Sequence, residues 1–428
     1  MSAERPRAAI VVTGSELLAG TITDRNGPWL SRELVDKGFD VAEVLVVPDH
    51  PGDIESALRF AADSGADLIV TSGGLGPTAD DLTTEIVARF TGRELELDEE
   101  LAKKIEAILA DFAARTGFGG PALQAAIRKQ ALVPRGAVPV DPVGTAPGLV
   151  IPGDGGPVVV VLPGPPRELQ AMWPAALATA PMRELLARVP PARPRRLRFF
   201  GLPESEIAET LRDIGAELDV SAVEVTTCLR RSELEVDLRP RPGADEVAAT
   251  LADRIIGRHA RHLVSSDGTT TDELLARTLR ERGLTVATAE SCTGGLLAGR
   301  LTDLPGSSDY VLGGVVAYAN SVKIGTLGVP AELIDRYGAV SPQVARAMAD
   351  GVRAVLGADI GIGITGVAGP GGGTPAKPVG YVCFCVTAAD GQISARDLRL
   401  PGGRAEVRDR AVDMGMHLLL GVASGRSS

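Results

Sequence analysis

The sequence is poor in the residues that build disulfide frameworks, zinc sites and aromatic clusters. Its 428 residues include only four cysteines and four histidines, and aromatic residues make up 3%. The cysteines lack the paired spacing of a disulfide framework, which is typical of a protein from a reducing compartment. No histidine stands at metal-ligand spacing from a cysteine, which argues against a zinc site. The four cysteines are Cys228, Cys292, Cys383 and Cys385.

Long apolar runs and an excess of positive charge are also missing. No uninterrupted apolar stretch approaches the length that crosses a bilayer, and residues 1–7 lack the apolar core of a signal peptide. We therefore expect a cytoplasmic protein. The net charge of −11 argues against sequence-independent binding to nucleic acid or to anionic membranes. The length of 428 residues, 44% of them hydrophobic, predicts a soluble globular protein of two to three domains.

Strand and helix patterns alternate through the first part of the chain. Short apolar, β-rich segments predict strands, and the amphipathic segments between them predict helices. The strands are expected at 8–13, 41–47 and 67–72, and the helices at 27–37 and 53–63. This alternation predicts a parallel sheet covered by helices, with ligands bound beyond the carboxyl ends of the strands.

Polar residues cluster at those carboxyl ends, at positions 13–26, 48–50 and 73–81. The last cluster combines glycines, which let the backbone approach a phosphate, with a helix start and two carboxylates. Asp80 and Asp81 could hold Mg²⁺ against a diphosphate. Thr78 and Asp81 also fit a helix-capping pattern, so capping and metal binding stay equal alternatives for Asp81. Loop and cap roles are the alternative for the residues at 16, 24 and 26.

A smaller module follows, between about 195 and 265. Its pattern predicts a split βαβ arrangement, because one helix lies between the first two strands and another lies before the last. The strands are expected from 195, at 222–229, at 232–239 and at 262–264, with helices at 204–214 and 244–258. A KH-like RNA-binding module would carry a Gly-x-x-Gly loop after the first helix, and that loop is missing. A spacer or dimerisation element is the favoured interpretation.

The last part of the chain contains a strand, a tight turn and a helix start around Ala-Glu-Ser-Cys-Thr-Gly-Gly at residues 289–295. Unpaired N–H groups of a first helical turn can hold an oxyanion or a phosphate there. Ser291 can therefore be a nucleophile. A cap role for Ser291 or Thr293 is equally compatible with this stretch. Cys292 is a less favoured competing nucleophile.

A serine nucleophile needs a base, and histidine is scarce in this region. His417 is its only histidine and lies in a helix-like apolar stretch. A lysine can serve when burial lowers its pKa. Lys323, beyond the end of a strand that also delivers Tyr318, is the candidate, although composition alone makes it an ordinary surface lysine. Strands are expected at 284–288, 311–318, 359–364 and 380–387, and helices at 271–282 and 342–356. Cys383 and Cys385 share one face of their strand, which predicts a place in the core.

Three motifs of the first part resemble those of a known family. They stand at residues 13–20, 73–81 and 142–148. The cluster at 73–81 resembles the pterin- and nucleotide-binding motif of molybdopterin-binding (MoaB/MogA-like) domains. Together the three motifs are more similar to the amino-terminal domain of the CinA family (competence-damage-inducible protein A), over about 170 residues.

This resemblance implies metal-dependent ADP-ribose pyrophosphatase activity. It implies that a divalent cation, Mg²⁺ or similar, is held by Asp24, Asp80 and Asp81. The substrate-binding residues that it implies are Glu16, Asn26, Gly74, Gly76 and Thr78.

Five further motifs resemble the carboxy-terminal domain of the same family. They stand in the family's order at residues 289–295, 304–308, 318–323, 338–341 and 365–375. That domain is the PncC-type nicotinamide mononucleotide amidohydrolase. The resemblance implies hydrolysis of the carboxamide of nicotinamide mononucleotide (NMN) to nicotinate mononucleotide and ammonia, without a cofactor.

Roles for single residues follow from this second resemblance. Ser291 attacks the amide carbon, and Lys323, helped by Tyr318, takes the serine proton and later protonates the leaving ammonia. Backbone N–H groups around Thr293 and Gly294 stabilise the oxyanion. The further substrate-binding residues that it implies are Asn320, Thr365, Gly366, Gly371 and Arg404. Which of Lys323 and Tyr318 deprotonates Ser291 stays open.

Together these patterns predict a multidomain α/β protein. The expected domains are a three-layer α/β domain with a parallel sheet (1–170), a small split βαβ module (171–266) and a second α/β domain (267–425). We expect a bifunctional enzyme of pyridine nucleotide salvage that acts on NMN and ADP-ribose, and the resemblance implies a homodimer. A scaffold in DNA uptake or recombination and a pterin-binding protein of molybdenum cofactor assembly are the alternatives.

Overall fold

The computed structural model describes residues 5–116, 121–190 and 194–425. The chain forms two compact units, residues 1–192 and 193–428. No helix in the described part of the chain is long and apolar enough to cross a membrane.

The first unit is a three-layer α/β structure. Its strands are β1 (Arg7–Thr13), β2 (Asp40–Val47), β3 (Leu68–Ser72), β4 (Leu95–Leu97), β5 (Leu132–Pro134), β6 (Val138–Val140), β7 (Gly148–Ile151) and β8 (Val158–Leu162). Its helices are α1 (Ser15–Leu18), α2 (Asn26–Asp36), α3 (Pro51–Asp63), α4 (Thr83–Phe90), α5 (Glu99–Thr116), α6 (Pro121–Gln130), α7 (Pro166–Leu177) and α8 (Ala180–Ala187). The strands and helices predicted up to residue 72 are all present, with ends within about two residues.

The main sheet of this unit has the strand order β2-β1-β3-β8-β7-β6. The first four strands are parallel, as predicted, whereas β7 and β6 add an antiparallel edge that the alternation pattern did not indicate. The segments joining β6, β7 and β8 are too short for the crossover helix that parallel neighbours need. Side chains of β1 alternate between two cores: Ile10 packs toward α2 and α7, and Val11 packs toward α3 and α4.

The second unit begins with the predicted split βαβ module. Its elements are β9 (Arg195–Phe200), α9 (Glu204–Gly215), β10 (Val223–Arg230), β11 (Glu233–Pro240), α10 (Asp245–His259) and β12 (Leu263–Ser265). The strand order β10-β11-β9-β12 and the antiparallel pairing confirm the split βαβ prediction. Apolar side chains of the sheet, such as Phe199 and Val236, pack against Ile207 of α9 and Ile255 of α10.

The rest of this unit is a second three-layer structure. Its strands are β13 (Val286–Glu290), β14 (Val311–Val316), β15 (Ile360–Gly366), β16 (Tyr381–Ala388) and β17 (Ile393–Arg399). Its helices are α11 (Thr271–Arg282), α12 (Leu296–Leu301), α13 (Asn320–Gly325), α14 (Ala331–Tyr337), α15 (Pro342–Leu356) and α16 (Arg404–Ala423). The strand order is β14-β13-β15-β16-β17, in which β14, β13 and β15 are parallel. One face packs on α15 and the other on α11 and α16.

Two details of this part bear on the predictions. Cys383 and Cys385 lie in the core beside Ala345 and Ala349 of α15, which confirms the predicted buried role of the cysteine pair. Strand β14 ends two residues before Tyr318, so that Tyr318 lies in the loop before α13 and not in a strand.

Candidate active site

Ser291 directly follows β13, at the carboxyl end of the second strand of the C-terminal sheet. Its N–H donates to the Ile364 carbonyl of β15 at 2.9 Å, which fixes the backbone at this point. The chain then turns sharply through residues 291–295, here named the serine turn, before α12 begins. The turn uses left-handed backbone at Gly294 (φ 63°) and Gly295 (φ 94°), a conformation that glycine adopts without steric cost.

The amino group of Lys323 lies against Ser291. The residue is 1% exposed, and Nζ lies 3.1 Å from Ser291 Oγ. Nζ also donates to the carbonyl oxygens of Ala317 at 2.7 Å and Tyr318 at 3.2 Å. Burial lowers the pKa of Lys323 below its ordinary value, because an ammonium group loses its hydration when it leaves water.

The three partners of Nζ fit both protonation states of Lys323, because an ammonium group would donate to all three oxygens. A neutral amine has two N–H donors and one lone pair, whereas an ammonium group has three donors and no lone pair. In the neutral form the carbonyls of Ala317 and Tyr318 use the two donors, and the lone pair is left for the Ser291 hydroxyl. The arrangement can therefore take the proton of Ser291, which is how a weak serine nucleophile becomes active.

The hydroxyl of Tyr318 bonds neither to Ser291 nor to Lys323. The Tyr318 residue is 61% exposed, and its hydroxyl accepts a hydrogen bond from Arg404 Nη2 at 3.0 Å. Arg404 Nη1 donates to the Gly369 carbonyl in the Gly-rich loop at 2.8 Å. Tyr318 thus contacts Lys323 through its backbone carbonyl and Arg404 through its side-chain hydroxyl, and Arg404 contacts the Gly-rich loop.

The other residues expected to bind substrate are placed less directly. Thr365 follows Ile364 on β15, and its hydroxyl donates to the Ala339 carbonyl at 2.9 Å. Gly366 ends the same strand, while Gly371 is exposed in the Gly-rich loop and Asn320 is exposed at the start of α13. These residues border the site without a side-chain bond to Ser291 or Lys323 in the described part of the chain.

Cys292 is not a competing nucleophile in this geometry. The side chain is buried, and burial raises the pKa of its thiol to about 12. The thiolate is the reactive form of cysteine, so at neutral pH Cys292 remains an inert thiol beside Ser291.

The start of α12 does not offer free N–H groups to a substrate anion, contrary to the expectation from sequence. The Glu290 carboxylate accepts hydrogen bonds from the N–H groups of Gly295 at 3.0 Å, Leu297 at 3.1 Å and Ala298 at 2.8 Å. The alternative that Ser291 or Thr293 caps this helix is also wrong, because the cap residue is Gly295 and no side chain of the turn bonds to the helix end.

In the first unit, the polar clusters predicted at the carboxyl edge of the sheet lie side by side. Asn26 Nδ2 donates to Ser72 Oγ at 2.8 Å and to the Gly164 carbonyl at 2.6 Å. A Cβ atom on Gly73 would lie 2.6 Å from Thr13 Oγ1, so this position requires glycine. The ends of three neighbouring strands are thereby tied to one edge.

Buried polar atoms at this edge lack partners. Among the described residues, Thr13 Oγ1, Asn26 Oδ1 and Thr83 Oγ1 have no hydrogen bond. A Cβ atom on Gly74 would lie 2.2 Å from Thr83 Oγ1, so glycine keeps the space above that hydroxyl open. Such unpaired buried groups are satisfied by water or by polar groups of a ligand. Glu16, which is exposed, lines the adjoining cleft of about 600 Å³ together with Asn26.

The carboxylates expected to hold a divalent cation do not converge. Asp24 accepts the N–H of Asn26 at 2.9 Å and that of the following residue at 3.1 Å, so it acts as a cap for α2. Asp80 and Asp81 both accept from the Thr78 hydroxyl. Within the described ranges no three His, Cys, Asp or Glu side chains form a group that could hold a metal ion. These residues therefore do not fit a preformed divalent-cation site.

The proposed capping pair Thr78 and Asp81 does not cap a helix. Helix α4 begins at Thr83, after Leu82, and no side chain caps it. The Thr78 N–H instead donates to Asp81 Oδ2 at 2.9 Å, which closes the loop on itself. A Cβ atom on Gly76 would lie 2.3 Å from the same oxygen, so glycine is needed to admit the Asp81 carboxylate.

Comparison with known proteins identifies the family. The family model described as "CinA C-terminal domain" matches residues 268–423, and "Probable molybdopterin binding domain" matches residues 9–182. A CinA-like protein from Mycobacterium tuberculosis is 52% identical over 424 residues, which cover 98% of each chain. The chain belongs to the CinA family.

Further CinA proteins are similar to all or part of this chain. A CinA-like protein from Mycobacterium marinum is 53% identical over 418 residues, covering 96% of this chain and 97% of the relative. Among solved structures, the competence/damage inducible protein CihA from Agrobacterium tumefaciens is 41% identical and covers 36% of this chain and 94% of its own, with a TM-score of 0.35.

Two residues of this CinA-family site have contacts that the sequence analysis missed. One is Glu290, which lies in the motif at residues 289–295 but was assigned no role from the sequence. The other is Arg408, whose guanidinium donates to the carbonyls of Cys292 at 3.2 Å and Thr293 at 3.0 Å. The only sequence signal for Arg408 is its spacing of four residues from Arg404, which places both on one face of α16.

Proposed function

We propose that the C-terminal domain of this CinA-family chain is a serine amidohydrolase that converts NMN to nicotinate mononucleotide and ammonia. The observation that carries the proposal is the buried Lys323 amino group, 3.1 Å from Ser291 Oγ. Two carbonyl groups occupy its donors and leave its lone pair for the serine proton. A lysine that only contributed to a salt bridge would face a carboxylate, and among the described residues Nζ forms no ion pair.

The proposed reaction proceeds through an acyl-enzyme. Ser291 Oγ bonds to the carboxamide carbon while Lys323 takes the hydroxyl proton. The resulting ammonium group then protonates the nitrogen that leaves as ammonia, and an ester on Ser291 remains. Water next attacks the ester and gives a proton to Lys323, which returns it to Ser291 Oγ as the carboxylate product departs.

The phosphate of NMN is assigned to the side of the site that carries Arg404 and the Gly-rich loop. The start of α12 is unavailable to it because the Glu290 carboxylate already takes three N–H groups there. Arg404 is exposed, and its guanidinium donates to the Tyr318 hydroxyl and to the Gly369 carbonyl of the Gly-rich loop. Guanidinium groups suit phosphate oxygens because they combine charge with several donors.

Ammonia release from NMN tests this proposal directly. The purified parent protein is expected to release ammonia, and Ser291→Ala to release none while keeping the circular dichroism spectrum of the parent. Cys292→Ala is the matched control, because it removes a neighbouring side chain of similar size without touching the proposed chemistry. Ammonia release by Ser291→Ala at the parental rate would show that Ser291 is not the nucleophile. A folded parent that releases no ammonia would show that NMN is not the substrate.

For the first unit we propose binding of ADP-ribose and hydrolysis of its diphosphate in the presence of a divalent cation. The unpaired buried atoms of Thr13, Asn26 and Thr83 support a polar ligand at this edge. Because Asp24, Asp80 and Asp81 do not form a preassembled metal site, no step of the reaction is assigned to them.

Asp80→Asn tests whether the two proposed activities use separate sites. The variant is expected to impair ADP-ribose cleavage, because Asp80 accepts from the Thr78 hydroxyl and thereby shapes the loop at the proposed binding edge. It should leave ammonia release from NMN unchanged, since Asp80 lies in the other compact unit. AMP and ribose phosphate are measured by chromatography, with and without Mg²⁺. Loss of both activities in a folded variant would contradict separate sites.

A further inference from the structure

The Glu290 carboxylate is buried next to the serine turn and is fully used by hydrogen bonds. The residue is 1% exposed. Its Oε2 accepts from the N–H groups of Gly295 and Leu297, and its Oε1 accepts from the Ala298 N–H and, at 3.2 Å, from the Thr288 hydroxyl. Among the described residues no Lys, Arg or His forms an ion pair with it. Backbone N–H groups are therefore what balances this buried charge.

Such an arrangement needs a reason, because a buried carboxylate is costly unless donors surround it. Helix α12 has only six residues, too few to be stable alone, so its position depends on contacts with its surroundings. A neutral cap such as serine or asparagine would satisfy one or two of the same N–H groups. A carboxylate does more, since its two oxygens accept from three N–H groups of the turn and the helix start and fix where the turn enters the helix.

The residues between Ser291 and this anchor are Cys292, Thr293 and Gly294. Arg408 binds the carbonyls of Cys292 and Thr293, so the acceptor side of the turn is held as well. In the described structure neither the Thr293 N–H nor the Gly294 N–H donates to a backbone carbonyl, and that of Thr293 lies against the buried Cys292 sulfur. Both donors lie within three residues of Ser291 on the helix side.

We propose that Glu290 is a positioning residue: it occupies the helix N–H groups that would otherwise bind an anion, and holds the N–H groups of Thr293 and Gly294 ready for the oxyanion formed on Ser291. This inference rests on the proposed serine chemistry, but not on NMN as the substrate. Donors that are fixed in place before the reaction stabilise developing charge without reorganisation.

Glu290→Gln isolates the role of the carboxylate. Glutamine has the same shape, but one oxygen is replaced by an NH₂ group that would face N–H donors. Glu233→Gln is the matched control: Glu233 is 2% exposed and is also a buried acid of this unit, bonded to Arg198 and not to the serine turn. Both substitutions remove a buried charge, and only the first removes it from the turn.

The readout is the rate at which a small fluorophosphonate labels Ser291 in the full-length protein, followed by intact mass. In that reaction the Ser291 Oγ–P bond forms, fluoride leaves and Lys323 takes the proton. Labelling depends on the same N–H donors as amide hydrolysis and does not depend on which substrate is natural. Circular dichroism gives the folded fraction, to which each rate is normalised.

Glu290→Gln is expected to slow labelling by about 10- to 100-fold and to lower kcat for NMN by the same factor, with KM nearly unchanged. Glu233→Gln is expected to lower the unfolding midpoint while labelling at the parental rate. Glu290→Asp keeps the charge on a shorter side chain, and its labelling rate is expected to fall between those of Glu290→Gln and the parent.

Parental labelling by folded Glu290→Gln, equal slowing in Glu290→Gln and Glu233→Gln, or a parent that is never labelled at Ser291 would each overturn the inference. If Glu290→Gln fails to fold, parental labelling by Glu290→Asp has the same meaning. A parent that is labelled, and is slowed by Glu290→Gln, yet releases no ammonia from NMN would refute the proposed substrate and support the positioning role.

Discussion

The pH dependence of NMN hydrolysis is the sharpest consequence of the Lys323 geometry. Only the neutral amine can take the Ser291 proton, so the rate follows the neutral fraction of Lys323 and falls about tenfold per pH unit below its pKa. An exposed lysine has a pKa of about 10.4. Burial lowers the pKa of Lys323, so we expect the inflection of the profile to lie below that value.

The ordinary lysine pKa also gives the size of the expected change in the neutral fraction of Lys323. At pH 7.5 a lysine with a pKa of about 10.4 is neutral in roughly one molecule in 800. Each pKa unit of lowering raises this fraction tenfold and corresponds to about 1.4 kcal/mol of lost ammonium stabilisation. The three partners of Nζ are a hydroxyl and two carbonyls, and none is a carboxylate that would reverse the shift.

The assay is kcat for ammonia release from pH 7 upward, where a phosphate monoester has already lost its second proton. Lys323→Met keeps the length of the side chain and removes the base, and should lower kcat by about 10²- to 10⁴-fold at every pH. Lys323→Arg, which stays protonated, should be equally inactive. An inflection at or above about 10.4, or a parental rate in Lys323→Met, would refute the assignment of Lys323 as base.

A stability measurement checks the same pKa shift without substrate. Between the lowered pKa of Lys323 and about 10.4 the unfolded chain binds more protons than the native protein, so this lysine makes the free energy of unfolding rise with pH in that window. Lys323→Met should lack this rise. An identical pH dependence of unfolding in the parent and in Lys323→Met would indicate that burial does not shift this lysine.

Three further outcomes test the surroundings of the site. Tyr318→Phe should raise KM for NMN with little change in kcat, because the Tyr318 hydroxyl bonds to Arg404; a loss in kcat like that of Lys323→Met would make Tyr318 the base. Arg300→Met should lower the free energy of unfolding by about 3–5 kcal/mol in denaturant titrations, since it leaves the carboxylates of Asp272 and Asp413 without their shared partner. A loss below about 1 kcal/mol would contradict that reasoning. Cys292→Ala should keep parental kcat, whereas inactivation of the folded variant would reopen Cys292 as nucleophile.

Local patterns were sufficient to predict most of the fold. The apolar stretch before Thr13 and the helix ended by Gly38 follow from side-chain period and from helix-stop residues, and both are present. The antiparallel strands β6 and β7 were missed because each has only three or four residues. Too few residues alternate in such strands to give a period, and their pairing is set by neighbouring strands far along the chain.

The site was predictable only where residues close in sequence carry it. Ser291 follows from the strand, turn and helix around it, but the burial of Lys323 depends on packing between elements 32 residues apart. The Arg408 contact with the serine turn spans 116 residues, which no local pattern reveals. For Asp24 the family resemblance implied a metal ligand, but a contact between residues close in sequence decides its role: the carboxylate accepts the Asn26 N–H at the start of α2.

The hairpin between β10 and β11 gives the middle module a role that its sequence did not suggest. Its two-residue loop, Arg231 (φ 48°) and Ser232 (φ 58°), has left-handed backbone without glycine, at a cost of about 1 kcal/mol or more per residue. The side chains explain why glycine is not used there. Arg231 donates to Asp272 at 3.2 Å, and Ser232 donates to Asp413 at 2.6 Å. Arg300 of α12 binds both carboxylates, at 2.8 Å and 2.5 Å. The middle module therefore helps to hold α12, the helix that follows the serine turn, in place. This role goes beyond the spacer or dimerisation element that its sequence pattern favoured.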